Sequence, residues 1–187
     1  MNLPQLPVLN NSNVPGLDLI RLIDVREVAG LMSPETVWSG AAPGCLPVGG
    51  FIPTVNAKWI ELRFTAGMAH HTETLETSPQ GEGWRQLLTV PIPIDSPERS
   101  LLTRILSRGR WLALRMDGNE VIRLIGTPAQ PLKLKESVFT TSTMNAWTLS
   151  LSCLTPRHSY YLSGWSEDQI YGNPADFNFD FSLDFNA

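Results

Sequence analysis

The chain is poor in the residues that staple, coordinate or catalyse. It has only two cysteines, Cys45 and Cys153, and three histidines in 187 residues. The cysteines lie far apart, match no metal-ligand spacing and read as two small buried hydrophobes. They fix no redox compartment, and a chain of this length can bury roughly 70% of its unfolded surface without disulfides. No apolar run approaches the roughly 20 residues that span a bilayer, which argues against membrane insertion. Neither G-x-S-x-G nor G-x-x-x-x-G-K-[ST] occurs, so the sequence signatures of an α/β-hydrolase nucleophile and of a phosphate-binding loop are both missing. No internal repeat is evident.

Fourteen basic and eighteen acidic residues give a net charge of -4, which argues against a chain devoted to coating DNA. The N-terminus MNLPQLPVLNNSNVPGL has no basic region and is broken by Pro4, Pro7 and Pro15, so it cannot act as a signal peptide. The protein is expected to start in the cytoplasm. Residues 1–16 are uncharged, too apolar for a solvated linker and too broken for a helix, and are read as an arm lying on protein surface.

What is present is mostly strand signal. LDLIRLIDV, Leu17 to Val25, reads as a first strand. From Gly30 to Ala57 the only charge is Glu35, while five glycines and four prolines exclude regular structure across most of the segment. A loop of that length is typically functional or docked on a partner. In AKWIELRFTA, Trp59, Glu61 and Arg63 face opposite to Ile60, Leu62 and Phe64. HTETLET follows, SPQGEG reads as a hairpin turn, and WRQLLTVPIPI is a long strand whose Pro91 and Pro93 belong at a sheet edge or a bulge.

One helix is predicted over about Pro97 to Arg108, capped by Asp95 or Ser96 and closed by Gly109. Its apolar face is expected to be Leu101, Leu102, Ile105 and Leu106, leaving Arg99, Arg104 and Arg108 in water or on a partner. WLALRM and EVIRLI flank Asp117-Gly118-Asn119 and predict a hairpin. Further strands are expected at LKLKESVFTTS, AWTLSLSCL and SYYLS. The C-terminus alternates without error: Phe177, Phe179, Phe181, Leu183 and Phe185 on one face, Asp176, Asn178, Asp180, Ser182 and Asp184 on the other. Residues 176–185 are read as an amphipathic strand with an acidic face. Charge is segregated: Arg85 through Lys135 hold nine basic and four acidic residues, and the chain after Arg157 holds five acidic and no basic ones.

Candidate chemistry is sparse. His70, His71 and Glu73 suggest a metal, but adjacent strand histidines point to opposite faces and cannot both meet one ion without a bulge. His158 has no nucleophile motif near it. The helix arginines with Arg110, Arg115 and Arg123 could contact phosphates, although a charged face is more often solvated or set against a protein. The six tryptophans could stack on sugars, but on strand patterns they read more simply as core or interface anchors. No cofactor, catalytic residue or metal ligand is assigned.

The run TETLETSPQGEGWRQLLTVPIPIDSPERSLLTRILSRGRWLALRMDGNEVIRLIGTPAQPL, Thr72 to Leu132, with the later FTTS and NAWTLSLS segments, resembles structural virion proteins of phages and prophages of Bacteroidetes-type bacteria. The shared pattern is a strand leading into a short helix at an acidic-proline turn, a hairpin with a D-x-N-G-like tip, and an R-x-I-G-T-P-x-x-P-L segment matched by Arg123 to Leu132. Here the tip reads DGN. The likeness covers a third to a half of the chain and implies a tail-tube-like or neck subunit, a mainly β single domain over 1–187: a β-sandwich or barrel with one flanking helix, a long N-terminal loop and extended termini.

The function expected from this likeness is a structural, non-enzymatic subunit of a phage tail, most simply the tube, forming stacked homo-oligomeric rings around a DNA-conducting lumen. Its partners would be copies of itself, other tail or neck proteins and, in passage only, DNA. It would reside in the virion after assembly in the host cytoplasm. Subunit contacts are expected at Arg99, Arg104, Arg108, Trp38, Phe177, Phe179, Phe181, Leu183 and Phe185, and a lumen face at Asp176, Asp180 and Asp184. The rivals are a neck, connector or tail-terminator ring protein, a carbohydrate-binding β-sandwich, and an enzyme whose site the sequence does not advertise.

Overall fold

A computed structural model describes residues 15–32, 44–65, 67–78, 81–93, 96–140 and 145–162. The arm before Pro15, Trp38, and the tail with Asp176, Phe177, Phe179, Asp180, Phe181, Leu183, Asp184 and Phe185 lie outside the described residues. In chain order the strands are β1 (Leu17–Asp24), β2 (Val28–Leu31), β3 (Cys45–Leu46), β4 (Phe51–Pro53), β5 (Trp59–Glu61), β6 (His70–Ser78), β7 (Gly81–Pro93), then after the helix α1 (Pro97–Arg108), β8 (Trp111–Asp117), β9 (Ile122–Ile125), β10 (Lys133–Thr140), β11 (Ala146–Thr155) and β12 (Tyr160–Leu162). They form a six-stranded sheet ordered β3-β12-β9-β8-β1-β5, a four-stranded sheet ordered β10-β11-β7-β6, and a β2-β4 ribbon. The protein is mainly β with one α-helix among the described residues, and its sheets are not closed into a barrel.

The six-stranded and four-stranded sheets share one apolar core, in which Ile20, Leu22, Ala113 and Ile125 meet Leu88, Val90, Leu149 and Leu151. A second core lies on the opposite face of the six-stranded sheet, where Ile23, Leu112, Leu114 and Leu124 meet Leu46, Phe51 and Leu162. A sheet covered on both faces needs apolar residues at both parities. That is why WLALRM is a continuous run: Trp111 and Ala113 enter one core, Leu112 and Leu114 the other.

The cover of the second core comes from a segment that reads as irregular in sequence. Residues 44–57 contain β3 and β4, Leu46 is fully buried and Phe51 nearly so, and Val28, Leu31 and Ala57 pack beside them. Strands of two or three residues between glycines and prolines carry no periodic signal, so this part of the segment from Gly30 to Ala57 could not be read as structure.

β7 runs 13 residues, and its prolines sit where expected. β6 accompanies β7 only as far as His70↔Thr89, so Pro91 and Pro93 have a ladder on the β11 side alone. The hairpin tip is longer than DGN suggests. Asp117 Oδ1 accepts from the amides of Asn119 and Val121, both at 3.0 Å, and Glu120 takes φ 61. A three-residue loop ending in a left-handed residue is a common hairpin closure.

α1 starts with Ser96 accepting from the Arg99 amide and Pro97 in the first turn. It ends against β8: Trp111 Nε1 donates to the Leu106 carbonyl at 3.0 Å. A Cβ on Gly109 would fall 2.3 Å from the Trp111 indole, so this glycine makes room for the ring rather than for a left-handed turn. The predicted apolar face is only half used. Leu106 is fully buried and Leu102 packs on the core, whereas Leu101 and Ile105 remain exposed, because α1 touches the sandwich along a narrow line.

Candidate functional site

The space between the two sheets changes character along its length. β8 and β9 alternate, so the inward row that holds Ala113 and Ile125 continues with Arg115 and Arg123. The register sets these two arginines directly opposite each other. Like charges facing across a pair are destabilising unless opposite charge meets them. From the facing sheet, the inward row of β6 supplies His71 and Glu73.

Glu73 is the hub. Its Oε1 accepts from the Ser159 amide at 2.7 Å, and its Oε2 lies 3.3 Å from Arg123 Nη1 and 3.1 Å from His158 Nδ1. Burial pushes the Glu73 pKa up, but hydrogen bonds from Ser159 and His158 outweigh it and hold the carboxyl below its ordinary value. Arg115 has its own counter-ion, Asp117, at 3.0 Å. Burial and the like charge of Arg115 lower the Arg123 pKa, against Glu73 and Asp117. Arg123 also packs over the Tyr161 ring, 3.8 Å from its centroid, and donates to the Tyr161 hydroxyl.

His71 is the least satisfied member. Its side chain is 3% exposed, and Nε2 lies 3.9 Å from Glu73 Oε1 with no hydrogen-bond partner among the described residues. Burial and then the Arg115 cation push its pKa down to about 4, against the pull of Glu73. His70, its sequence neighbour, is exposed on the opposite face, as strand alternation requires. His71 and Arg115 also border an open groove of about 380 Å³ with Pro15, Leu17, His70 and Asn119.

Two further groups pin the sheets together nearby. Gln86 on β7 donates to Thr155 Oγ1 at 2.8 Å and to the Arg157 carbonyl at 3.2 Å, and accepts from the Gly126 amide at 3.1 Å. Gly126 has φ +80 at the corner after β9, inside the Arg123 to Leu132 segment, and Trp111 pairs with Leu132 beyond it. The Cys153 thiol, beside Gln86, is pushed up to about 12 by burial and by Glu73, so it stays protonated. His158 stacks on Trp84 with 3.5 Å between ring centroids.

The residues predicted to carry contacts are elsewhere. Arg104 and Arg108 are exposed on α1 and Arg99 is partly so; none joins the cluster. Arg115 and Arg123, weighed above as phosphate contacts, are instead consumed by Asp117 and Glu73. The described tryptophans pack: Trp111 is buried, Trp59 meets Phe51 edge-on, and Trp147 meets Phe139 at 5.1 Å. Among the described residues no three His, Cys, Asp or Glu side chains converge as a metal set. The available sequence signal is partial: placing the hairpin tip sets Arg115 opposite Arg123 on the face of Ala113 and Ile125, but not the acid that meets them. Comparison with known proteins finds no matching family model, no matching curated protein and no matching solved structure.

Proposed function

We propose that this chain is a structural subunit that assembles with copies of itself in a bacteriophage tail, most simply the tube, around a lumen that conducts DNA. The observation that carries the reading is an exposed apolar patch on the outside of the β2-β4 ribbon. Val55 is 95% exposed, and Val48, Ile52 and Met32 are each about half exposed. The ribbon fixes two of them: Ile52 pairs with Gly30, and the Met32 amide donates to the Gly50 carbonyl at 2.7 Å. Apolar surface grouped on one cover element favours a protein partner. A second copy is the partner chosen, because the chain itself supplies an uncharged N-terminal sequence, an alternating C-terminal sequence and exposed Leu101 and Ile105 on the arginine-bearing helix.

The charged cluster fits this reading as scaffold rather than reaction centre, since Arg115, Arg123 and Glu73 are each met by internal partners. Negative-stain electron microscopy and sedimentation of the full chain test the proposal. Rings or tubes are expected, and Val55→Asp with Ile52→Asp should weaken assembly while leaving the melting temperature of the subunit unchanged. Isolated rings that never stack would move the assignment to the neck. A monomer at high concentration would overturn it.

A further inference from the structure

The two edges of the four-stranded sheet are not alike. β10 carries Lys133 and Lys135 and a bulge between Leu134 and Glu136, devices that discourage a new strand. β6 has none of them. It pairs with β7 over all nine residues without a register shift, contains no proline or lysine, and among the described residues has no ladder partner on its other side. Its acids are already engaged, Glu73 with Arg123 and Ser159, Glu76 with Arg85 at 2.8 Å. Leu75 on this edge strand is 46% exposed.

We propose that β6 is the surface through which two copies of the soluble chain pair, edge to edge and antiparallel about a two-fold axis at Thr74, joining two four-stranded sheets into one. The segment HHTETLETS is self-complementary in that arrangement. With all nine residues overlapped, Thr74 faces its own copy, Glu73 faces Leu75, Thr72 faces Glu76 and His71 faces Thr77. No like charges stand directly opposite, and the two exposed Leu75 side chains become diagonal neighbours on one face. Residues 71, 73, 75 and 77 keep to one side and 72, 74 and 76 to the other, so the pleat continues across the axis.

A two-fold contact closes on itself, whereas a ring needs head-to-tail contacts. The β6 pair is therefore a property of the free subunit, beyond the assembly reading, in which each copy covers the other's open edge. It has the form of strand addition, with the main chain supplying affinity and the facing side chains supplying register.

The register is tested by charge substitutions of opposite expected sign in the full chain, followed by sedimentation velocity over a range of concentrations. Thr74→Lys sets two cations face to face and should weaken the dimer roughly fivefold, while Thr72→Lys faces Glu76 of the other copy and should tighten it roughly fivefold. Thr72 and Thr74 are exposed, so circular dichroism should report an unchanged fold. Thr74→Cys should oxidise to a dimer cross-linked through position 74, and Lys135→Cys on β10 should not. Equal dimerisation in both lysine variants, or no cross-link at position 74, overturns the proposal. Equal dimerisation in both lysine variants while rings or tubes still form removes the β6 contact and leaves the assembly reading standing. A strictly monomeric chain removes both.

Discussion

The two ends of the inter-sheet space are filled by opposite means. At one end Ile20, Leu22, Leu88, Val90, Leu149 and Leu151 are essentially inaccessible to solvent. At the other, Arg115, Arg123, Glu73 and His71 fill the gap. The apolar end gains from removing surface from water, a non-directional effect that fixes which face of each strand is buried but discriminates weakly between alignments two residues apart. The charged end gains little net free energy, since desolvating ions offsets most of their attraction. Its contribution is directional: Glu73 satisfies Arg123 and the Ser159 amide only when β6, β9 and the approach to β12 are in one alignment. The apolar end should therefore dominate stability, and the charged end should dominate the cost of misalignment. The largest effect is expected from Leu88→Ala, about 2–5 kcal/mol of unfolding free energy by denaturant titration. A loss under 1 kcal/mol would mean that this end is not tightly packed.

Glu73→Gln is the corresponding break at the charged end. It leaves Arg123 facing Arg115 with only Asp117 to balance two cations, and the removal of one partner from a buried pair costs about 3 kcal/mol. Replacing Glu73 and Arg123 together by Gln and Leu should cost less than Glu73→Gln alone. Additive losses in this pair of measurements would show that the two side chains do not act on each other.

The same end should respond to acid. His71 takes up a proton near pH 6.5 when unfolded but only near pH 4 when folded, so the unfolded chain binds more protons between those values. The histidine's contribution is then complete above about pH 6.5, falls as the pH drops through that window, and levels off below pH 4, with up to about 3 kcal/mol at stake. The lowered pKa of Glu73 adds a second loss that begins only below its ordinary value of 4.5. Between pH 6.5 and 5 the slope therefore belongs to the histidine, and His71→Gln should flatten it. A slope unchanged by that substitution would place the acid-sensitive group elsewhere.

The sequence made the apolar end easy to read and the charged end hard, for physical reasons. Alternation in AKWIELRFTA and the long run of WRQLLTVPIPI report burial directly, and β1, β7, β8, β10, β11 and α1 were legible from such patterns, with helix bounds matching Pro97–Arg108. Arg115 and Arg123 look like surface charges until the facing sheet is known, because the acid that receives Arg123 lies 50 residues away on β6. β3 and β4 were invisible, since their burial depends on tertiary cover rather than on local period. The helix face was overestimated for a related reason: periodicity marks Leu101 and Ile105 as apolar but does not say how wide a surface the sandwich offers them.

The smallest effect is expected where an ion pair of similar geometry lies at the surface. Arg21 Nε is 3.0 Å from Glu61 Oε2, a distance no longer than the 3.3 Å between Arg123 and Glu73, and the register pairs Arg21 with Glu61 directly across β1 and β5. The difference is solvent. The Glu61 side chain is 44% exposed on the last strand of its sheet, whereas that of Glu73 is 13% exposed between two sheets. Water around Glu61 screens the attraction, so Glu61→Gln should cost only about 0–1 kcal/mol. The loss should shrink further between 0.05 and 0.5 M salt, because the screening length falls from roughly 14 Å to roughly 4 Å across that range. Glu73→Gln should keep more of its cost over the same range, since a partly buried pair is screened less by salt than an exposed one. Equal costs for the two substitutions, or equal salt sensitivity, would mean that distance rather than burial governs these pairs, and the contrast between the two ends of the sandwich would lose its electrostatic basis.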